Sequence, residues 1–280
     1  MTRFVLFALL LIVPGLASAE APQRIVSVGG SVTETLFALG LGDRLIAVDS
    51  TSLYPPEAQG LPQVGYVRSL AAEPIVALAP DLVLAEADAG PQAVLDQLRE
   101  AGVEVVLVPD RPSPQGIVEK VLFIADAVDR PDEGVALADS IAVAFDRLEA
   151  ERQAVREVPS VLFLLSHSGP PMAAGRDTSA EAVIRLAGGR NVIDDFSGYR
   201  PLSPEMAVQA KPDVILLTQQ GVQQMGGLEG VYAHPALGLT PAAQNKRVYA
   251  YDALLLLGFG PRTPEVAAAL QAALQSKQPG

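Results

Sequence analysis

Segment 64–70 places a tyrosine and an arginine close together in the chain. Tyr66 and Arg68 are separated by one residue, and in an extended segment side chains two positions apart point to the same side. A free phenol ionises only at about pH 10, and a neighbouring guanidinium or a Lewis-acidic metal ion favours the ionised form. The spacing is therefore compatible with a phenolate that binds a metal centre. On residue type alone, a half-buried loop tyrosine beside a solvated arginine is the commoner arrangement.

Histidine and cysteine offer few further ligands. The chain has two histidines and no cysteine, which excludes disulfides, thiolate zinc sites, iron–sulfur clusters and cysteine nucleophiles. His167 directly follows an apolar run typical of a strand, so it is a candidate ligand at the carboxyl end of a sheet, although a lone histidine is more often a hydrogen-bonded loop residue. His234 lies beside a proline in a segment typical of a surface turn. Two histidines are too few for a zinc or manganese site made by the protein alone.

The sequence lacks the signatures of common enzyme classes. The pair Gly29-Gly30 follows a strand-like run, but the glycine spacing matches neither the dinucleotide-binding fingerprint nor the P-loop. Neither Gly-x-Ser-x-Gly nor His-Glu-x-x-His occurs. Glu34 and Asp49 are isolated carboxylates, better explained as a helix-face residue and a cap at a strand end. With a net charge of −12, nucleic acid is also excluded as a partner, because phosphate binding needs a basic face. We therefore predict that the protein is not an enzyme.

Residues 1–19 have the features of a signal peptide. Arg3 precedes an apolar run that ends before Pro14, and small residues lead up to Glu20. This order is typical of a cleaved secretory leader, and we expect cleavage near Ala19. No later apolar run approaches the ~18 residues that a membrane span requires. The expected product is exported and soluble.

Strand-like and helix-like segments alternate after the leader. Apolar patterns typical of strands occur at residues 24–28, 45–48, 82–84 and 103–108. We expect Ser31 or Thr33 to cap the helix that follows the first strand, and Gly40 and Gly42 to end it. The alternation predicts a mostly parallel sheet covered by helices on both faces.

A long helical pattern divides the chain into two halves. It extends over residues 113–157 and is interrupted at Arg130-Pro131-Asp132. The second piece predicts a helix of ~24 residues, about 36 Å long at 1.5 Å per residue. The expected organisation is a signal peptide, an N-terminal α/β lobe, a bridging helix and a C-terminal α/β lobe, at residues 1–19, 20–130, 131–157 and 158–280.

An internal repeat indicates that the two lobes are similar. Segments 73–84 and 205–216 each begin with a glutamate, Glu73 or Glu205, and carry a Pro-Asp pair just before an apolar strand. Such repeats are a primary signal of fold. The expected fold class is α/β, with two Rossmann-like lobes, mostly parallel sheets and a single long connecting helix. We expect a ligand cleft between the lobes, because ligands favour the carboxyl ends of such sheets.

Several segments carry a family resemblance. The opening 24–40, the middle 80–83, and above all 49–55, 64–70 and 255–264 resemble the helix-bridged substrate-binding proteins of bacterial ABC importers, in the branch that binds hemin. The resemblance implies a monomeric periplasmic protein that captures ferric heme and delivers it to the permease dimer of an ABC transporter at the inner membrane. A ferric siderophore or cobalamin, carried by other members of the superfamily, is the alternative cargo.

The resemblance also implies roles for single residues. Tyr66 matches the tyrosine of the Gly-Tyr-x-Arg segment, which binds heme iron as axial ligand, and Arg68 is expected to bind a propionate or to stabilise the phenolate. His167 and Gln220 are weaker candidates for a heme contact from the second lobe. Gln220 stands where hemin binders often carry an arginine, and an amide cannot supply charge. Heme is thus the expected transported ligand, and neither a catalytic cofactor nor another metal is expected.

Glu73 and Glu205 occupy equivalent positions, one in each half. In the related cobalamin-type binders, glutamates in the matching segments form salt bridges to the permease, so the resemblance implies a docking role here. The alternative is that both acids are favoured at helix N-termini by the helix dipole, by ~0.3–1 kcal/mol each.

Overall fold

The computed structural model describes residues 21–153, 157–166 and 169–276. The expected signal peptide at residues 1–19 and the candidate ligand His167 lie outside this part of the chain. Within it, two main sheets flank a long helix in chain order.

The first sheet has four parallel strands in the order β2-β1-β5-β6. The strands of this half are β1 (Ile25–Val28), β2 (Leu45–Val48), β3 (Gly65–Tyr66), β4 (Ser69–Leu70), β5 (Leu82–Glu86) and β6 (Glu104–Val108). The central strands are almost continuously apolar, as expected where a sheet is covered on both faces. The short strands β3 and β4 pair with each other as a separate antiparallel hairpin.

Five helices accompany this sheet within the described residues. They are α1 (Gly30–Ala38), α2 (Ala72–Ala77), α3 (Gln92–Glu100), α4 (Pro114–Ala127) and α5 (Pro131–Gln153). The expected break in the long helical pattern lies between α4 and α5, where Pro131 is the first residue of α5. Proline is tolerated there because the first helical N–H has no partner within the helix. With 23 residues, α5 is about 35 Å long at 1.5 Å per residue.

The start of α1 differs from the prediction that a hydroxyl side chain caps it. The N-cap is Gly29, with φ 110°, and no side chain caps the helix. Ser31 and Thr33 lie inside α1, where the Thr33 hydroxyl is 2.7 Å from Ser27 Oγ. The prediction was wrong because Gly29 adopts a backbone conformation that favours glycine, which lets the helix begin earlier. The end of α1 is as expected, since Gly40 follows it with φ 75°.

The second sheet has six strands in mixed orientation. They are β7 (Ser160–Leu165), β8 (Met172–Ala174), β9 (Arg190–Asn191), β10 (Tyr199–Pro201), β11 (Val214–Thr218) and β12 (Val248–Tyr251). β9, β11 and β12 continue the parallel pattern from β7, whereas β8 and β10 are antiparallel to their neighbours. The expected α/β fold with mostly parallel sheets is confirmed, and these two strands are the exception.

The helices of the second half are α6 (Ser179–Leu186), α7 (Pro204–Ala210), α8 (Gln219–Gln224), α9 (Gly227–Ala233), α10 (Pro241–Gln244), α11 (Ala253–Leu257) and α12 (Thr263–Gln275). The segment around Gln220 forms the two short helices α8 and α9. Gly226 separates them in a left-handed conformation, with φ 85°. No helix in the described ranges has both the length and the apolar character needed to cross a membrane.

The repeated segments adopt the same local structure. Ala79 and Lys211 occupy equivalent positions and both have left-handed backbone conformations, with φ 45° and 44°. The Asp81 carboxylate accepts backbone N–H groups just before β1, and the Asp213 carboxylate accepts the N–H of the first residue of β7. In each half, the Pro-Asp turn thus joins a short helix to one central strand and fixes the start of the neighbouring strand.

Candidate functional site

A β-hairpin at the edge of the first sheet carries Tyr66. The backbone of Ser50, which follows β2, donates to Gly65 O at 2.8 Å, and Leu70 N donates to Gly90 O at 2.9 Å. These bonds tie the hairpin to the loops that leave β2 and β5 at their carboxyl ends. The Tyr66 side chain is exposed there, with 43% of its surface accessible.

Tyr66, Arg68 and Asp88 form a hydrogen-bonded chain. Arg68 Nη1 donates to Tyr66 Oη at 2.9 Å, and Arg68 Nε donates to Asp88 Oδ2 at 2.8 Å. Arg68 Nη2 also contacts Asp88 Oδ2. The hydrogen bond to Asp88 raises the pKa of Arg68 above its usual value, against the opposing effect of partial burial. The structure therefore brings together the tyrosine and arginine identified by spacing and adds a carboxylate that the spacing did not indicate.

A buried network lies at the carboxyl ends of β5 and β6. Glu86 Oε1 accepts the Ser31 hydroxyl at 2.8 Å, and Lys120 Nζ donates to Ser31 Oγ, Asp110 Oδ1 and Phe259 O at 2.9, 2.7 and 3.2 Å. Burial raises the pKa of Glu86 above its usual value, while Lys120 opposes this shift. Only 1% of Lys120 is exposed, and all three ammonium hydrogens have acceptors. A lysine in an otherwise apolar helix face was the only sequence signal for this network.

A second buried ion pair joins α1 to the segment before α12. Glu34 Oε1 accepts the backbone N–H of Arg262 at 3.0 Å, and Glu34 Oε2 accepts Arg262 Nη2 at 2.8 Å. The guanidinium also lies 3.3 Å from the centre of the Tyr54 ring. The expectation that Glu34 is an ordinary helix-face residue was wrong, because only 5% of it is exposed and it pairs across 228 positions of sequence. Two of the segments that carry the resemblance, 49–55 and 255–264, meet at this ion pair.

Asp49 caps the end of β2, as the sequence indicated. Its Oδ1 accepts Gly29 N at 2.8 Å and Ser52 Oγ at 2.7 Å, and its Oδ2 accepts Thr51 N at 3.0 Å. The buried carboxylate therefore fixes the loop after β2 against the start of α1. All of its contacts are structural, which gives no support to a catalytic role.

Gln220, the second-lobe candidate within the described residues, is not joined to Tyr66. Gln220 is exposed in the first turn of α8, directly after β11, where the Thr218 hydroxyl caps the helix. No hydrogen bond among the described residues links Gln220 to Tyr66 or Arg68. His234 lies in a turn, where its Nδ1 accepts a backbone N–H at 3.2 Å. In the described ranges, no group of three or more His, Cys, Asp or Glu side chains is arranged to hold a metal ion.

Glu73 and Glu205 are exposed in the first turns of α2 and α7. Leu70, just before α2, donates its N–H to Gly90 O after β5, and Leu202, just before α7, donates its N–H to Pro171 O after β7, both at 2.9 Å. The two first turns therefore lie towards the carboxyl ends of the two sheets, on the same side as the expected cleft.

Comparison with known proteins identifies the family. A model described as "Periplasmic binding protein" matches residues 25–255. The chain belongs to this family. A vitamin B12-binding protein of Photorhabdus laumondii is 30% identical over 218 residues, covering 78% of each chain. A vitamin B12-binding protein of Yersinia pestis is 32% identical over 201 residues, covering 71% of each.

Several solved structures are similar to this protein over nearly the whole chain. The periplasmic heme-binding protein RhuT from Roseiflexus sp. RS-1 in apo form has a TM-score of 0.87 and 39% identity, and the match covers 91% of this chain and 98% of that one. BhuT in complex with two hemes has a TM-score of 0.86 and 39% identity over 90% and 97%. The heme-binding HutB of Vibrio cholerae has a TM-score of 0.82 and 34% identity over 91% and 99%. These matches confirm the expected two-lobed fold, and the protein is a substrate-binding transport protein rather than an enzyme.

Proposed function

We propose that the protein captures ferric heme in a cleft between its lobes and delivers it to an ABC transporter permease. In this proposal the N-terminal lobe is residues 20–130, the bridging segment that contains α5 is residues 131–157, and the C-terminal lobe is residues 158–280. The observation that carries the proposal is the exposed Tyr66 phenol, whose oxygen accepts a hydrogen bond from Arg68 at 2.9 Å. The similar solved structures named as heme-binding proteins support the same ligand.

Tyr66 is the axial ligand to the iron in this proposal. Ferric iron is a Lewis acid that favours the ionised phenol, and a guanidinium donating to the same oxygen adds to this effect. Arg68 directs Nε and Nη2 to Asp88 and Nη1 to Tyr66. Of the two roles expected for Arg68, this geometry favours stabilisation of the phenolate over pairing with a propionate. Gln220 and His167 are the proposed contacts from the second lobe.

Hemin titration tests the ligand assignment. The wild-type protein should give a shifted Soret band that saturates at a defined ratio, together with a tyrosinate-to-iron charge-transfer band. Tyr66→Phe removes only the phenol oxygen and should lose that band and release hemin faster. Tyr54→Phe is the matched control, because Tyr54 is also an exposed tyrosine of the first lobe. A wild-type hemin spectrum in Tyr66→Phe would contradict the assignment.

A cobalamin or ferric siderophore is the second candidate ligand. Cobalamin is favoured by relatives that are named vitamin B12-binding proteins. Calorimetric titration with cyanocobalamin, followed by competition between cyanocobalamin and hemin, shows which of these two ligands the protein binds. Saturable cobalamin binding that is unaffected by Tyr66→Phe would favour the second candidate.

Glu73 and Glu205 dock the protein on the permease in this proposal. One exposed acid on each lobe matches a two-subunit partner with pseudo-twofold symmetry, and opposite charges across such an interface fix its register. Neither side chain is needed for folding beyond a contribution of ~0.3–1 kcal/mol to its helix. Both first turns lie on the side of the expected cleft, which is the side from which a ligand is released.

Double charge reversal separates docking from helix stabilisation. Glu73→Arg with Glu205→Arg should retain hemin binding but abolish transport and ATPase stimulation in vesicles that contain the cognate permease. Glu104→Arg with Glu157→Arg is the matched control, since it makes the same charge change at exposed positions near the amino ends of the two sheets. Normal transport by the first double variant would contradict the docking role and leave the helix dipole as the explanation for both glutamates.

A further inference from the structure

We infer that Asp88 is a positioning residue that commits Arg68 to the phenol of Tyr66. This inference rests on the proposed function, because it concerns how the same site holds its ligand. Asp88 itself makes no bond to Tyr66. It acts through the guanidinium, and nothing in the sequence pattern around Tyr66 indicated it.

The geometry of the guanidinium carries the inference. Arginine has a planar fork with donors on two edges. Asp88 Oδ2 occupies the edge formed by Nε and Nη2, at 2.8 Å from Nε. This leaves Nη1 directed at Tyr66 Oη, at 2.9 Å. Arg68 is extensively exposed, with 61% of its side chain accessible, so without Asp88 it would be free to populate other rotamers.

The backbone holds Asp88 in register with the other two residues. The turn that contains Asp88 is closed by Ala89 N, which donates to Glu86 O at 2.9 Å. The next residue, Gly90, donates its N–H to Val67 O at 2.9 Å, between the two hairpin residues of the site. The carboxylate, the guanidinium and the phenol thus stand on two segments that are bonded to each other before any ligand binds.

The charge of Asp88 has a consequence for selectivity. An arginine without a fixed partner on this surface is available to any carboxylate, including a propionate of heme. Asp88 already supplies that carboxylate, in a charge-assisted hydrogen bond. Nη1 therefore serves the oxygen that coordinates iron in the proposed complex, while the charge of Arg68 is already balanced by Asp88, so the site favours its ligand through the metal more than through peripheral acid groups.

The hemin complexes of Asp88→Ala, Arg68→Ala and the double variant test this role. A hydrogen bond to a phenolate lowers the energy of its electrons, so losing the bond should move the tyrosinate-to-iron charge-transfer band to longer wavelength. We expect this shift in Asp88→Ala, with hemin dissociation about three- to tenfold faster. The double variant should behave like Arg68→Ala alone, because Asp88 acts only through Arg68.

Asp96→Ala is the matched control, since it removes a comparably exposed ion pair, with Arg99, from the same lobe. It should leave both the band and the dissociation rate unchanged. An unshifted band in Asp88→Ala, or effects of Asp88→Ala and Arg68→Ala that add in the double variant, would overturn the inference.

A measurement without hemin distinguishes failure of this inference from failure of the proposed function. In the ligand-free protein, the Nε–H proton of Arg68 should give a slowly exchanging signal in nitrogen–proton NMR spectra, which Asp88→Ala abolishes. If wild-type protein forms no tyrosinate complex, the proposed function fails, and loss of this signal still supports the hold of Asp88 on Arg68. If the signal is absent from the wild type, Asp88 does not position Arg68.

Discussion

Removing Arg262 should destabilise the protein far more than removing a surface arginine. In Arg262→Ala, the Glu34 carboxylate stays buried with only 5% of the residue exposed, and it loses the bond from Nη2 at 2.8 Å. Breaking a fully buried ion pair from one side costs ~3–5 kcal/mol. Here the backbone N–H at residue 262 remains a donor and the Arg262 side chain is 19% exposed. We therefore expect a loss of about 2–4 kcal/mol in the free energy of unfolding.

Urea unfolding followed by circular dichroism measures this loss. Arg147→Ala is the control, because its ion pair with Glu151 lies on the surface of α5, where the arginine side chain is 82% exposed. That variant should change the free energy of unfolding by less than about 0.5 kcal/mol.

Replacing both members of the buried pair completes the experiment. In Glu34→Met with Arg262→Ala, no uncompensated charge is left inside, so most of the lost stability should return. An Arg262→Ala variant within about 0.5 kcal/mol of the wild type, or a double variant less stable than Arg262→Ala, would refute the argument that burial of Glu34 makes the pair essential.

Three further predictions concern the buried network at the carboxyl ends of β5 and β6 and the repeated segments. Because burial raises the pKa of Glu86 above its usual 4.5, the contribution of this group to stability is greatest below about pH 4.5 and falls as the pH rises through the folded-state value. Glu86→Gln should therefore flatten the decline in the free energy of unfolding as the pH rises above about 4.5, measured by urea titration. Lys120→Met leaves Phe259 O without its donor and should cost about 2–3 kcal/mol in the same assay, less than a fully buried pair because Asp110 stays partly hydrated. Lys211→Gly relieves a left-handed conformation and should raise stability by about 0.5–1 kcal/mol, seen as a higher urea midpoint.

Local patterns predicted the strands and helices because local forces set them. The runs at Ile25–Val28 and Leu82–Glu86 are almost continuously apolar, and Pro131 interrupts a helical pattern where one helix ends and another begins. The predicted start of α1 was wrong because Gly29, which has no side chain, is the N-cap, so no hydroxyl side chain caps the helix. The antiparallel strands β8 and β10 were not predicted, since strand direction depends on connections that propensity does not encode.

The contacts of the candidate site could be predicted only where they join residues close together in the sequence. The pairing of Tyr66 with Arg68 could be predicted from the sequence, because side chains two residues apart in an extended segment point to the same side. Asp88 reaches Arg68 across 20 positions and Arg262 reaches Glu34 across 228. Such pairs depend on how strands and loops assemble, so a single sequence carries no spacing that reveals them. The resemblance of segments 49–55 and 255–264 was the one indirect signal, and these segments meet at Arg262 and Tyr54.

The choice between heme and cobalamin depends on side chains rather than on the fold. Relatives named for vitamin B12 and structures named for heme are both similar to most of this chain, so the two-lobed architecture is compatible with either ligand. What distinguishes a ligand is the chemistry at the carboxyl ends of the strands. There, a phenol is exposed, a guanidinium donates to its oxygen, and a carboxylate keeps that guanidinium in place. This arrangement stabilises an anionic oxygen, which is the form in which a phenol coordinates ferric iron. Tyr66, Arg68 and Asp88 are therefore the residues on which our heme proposal rests, and hemin and cobalamin titrations of Tyr66→Phe decide between the two ligands.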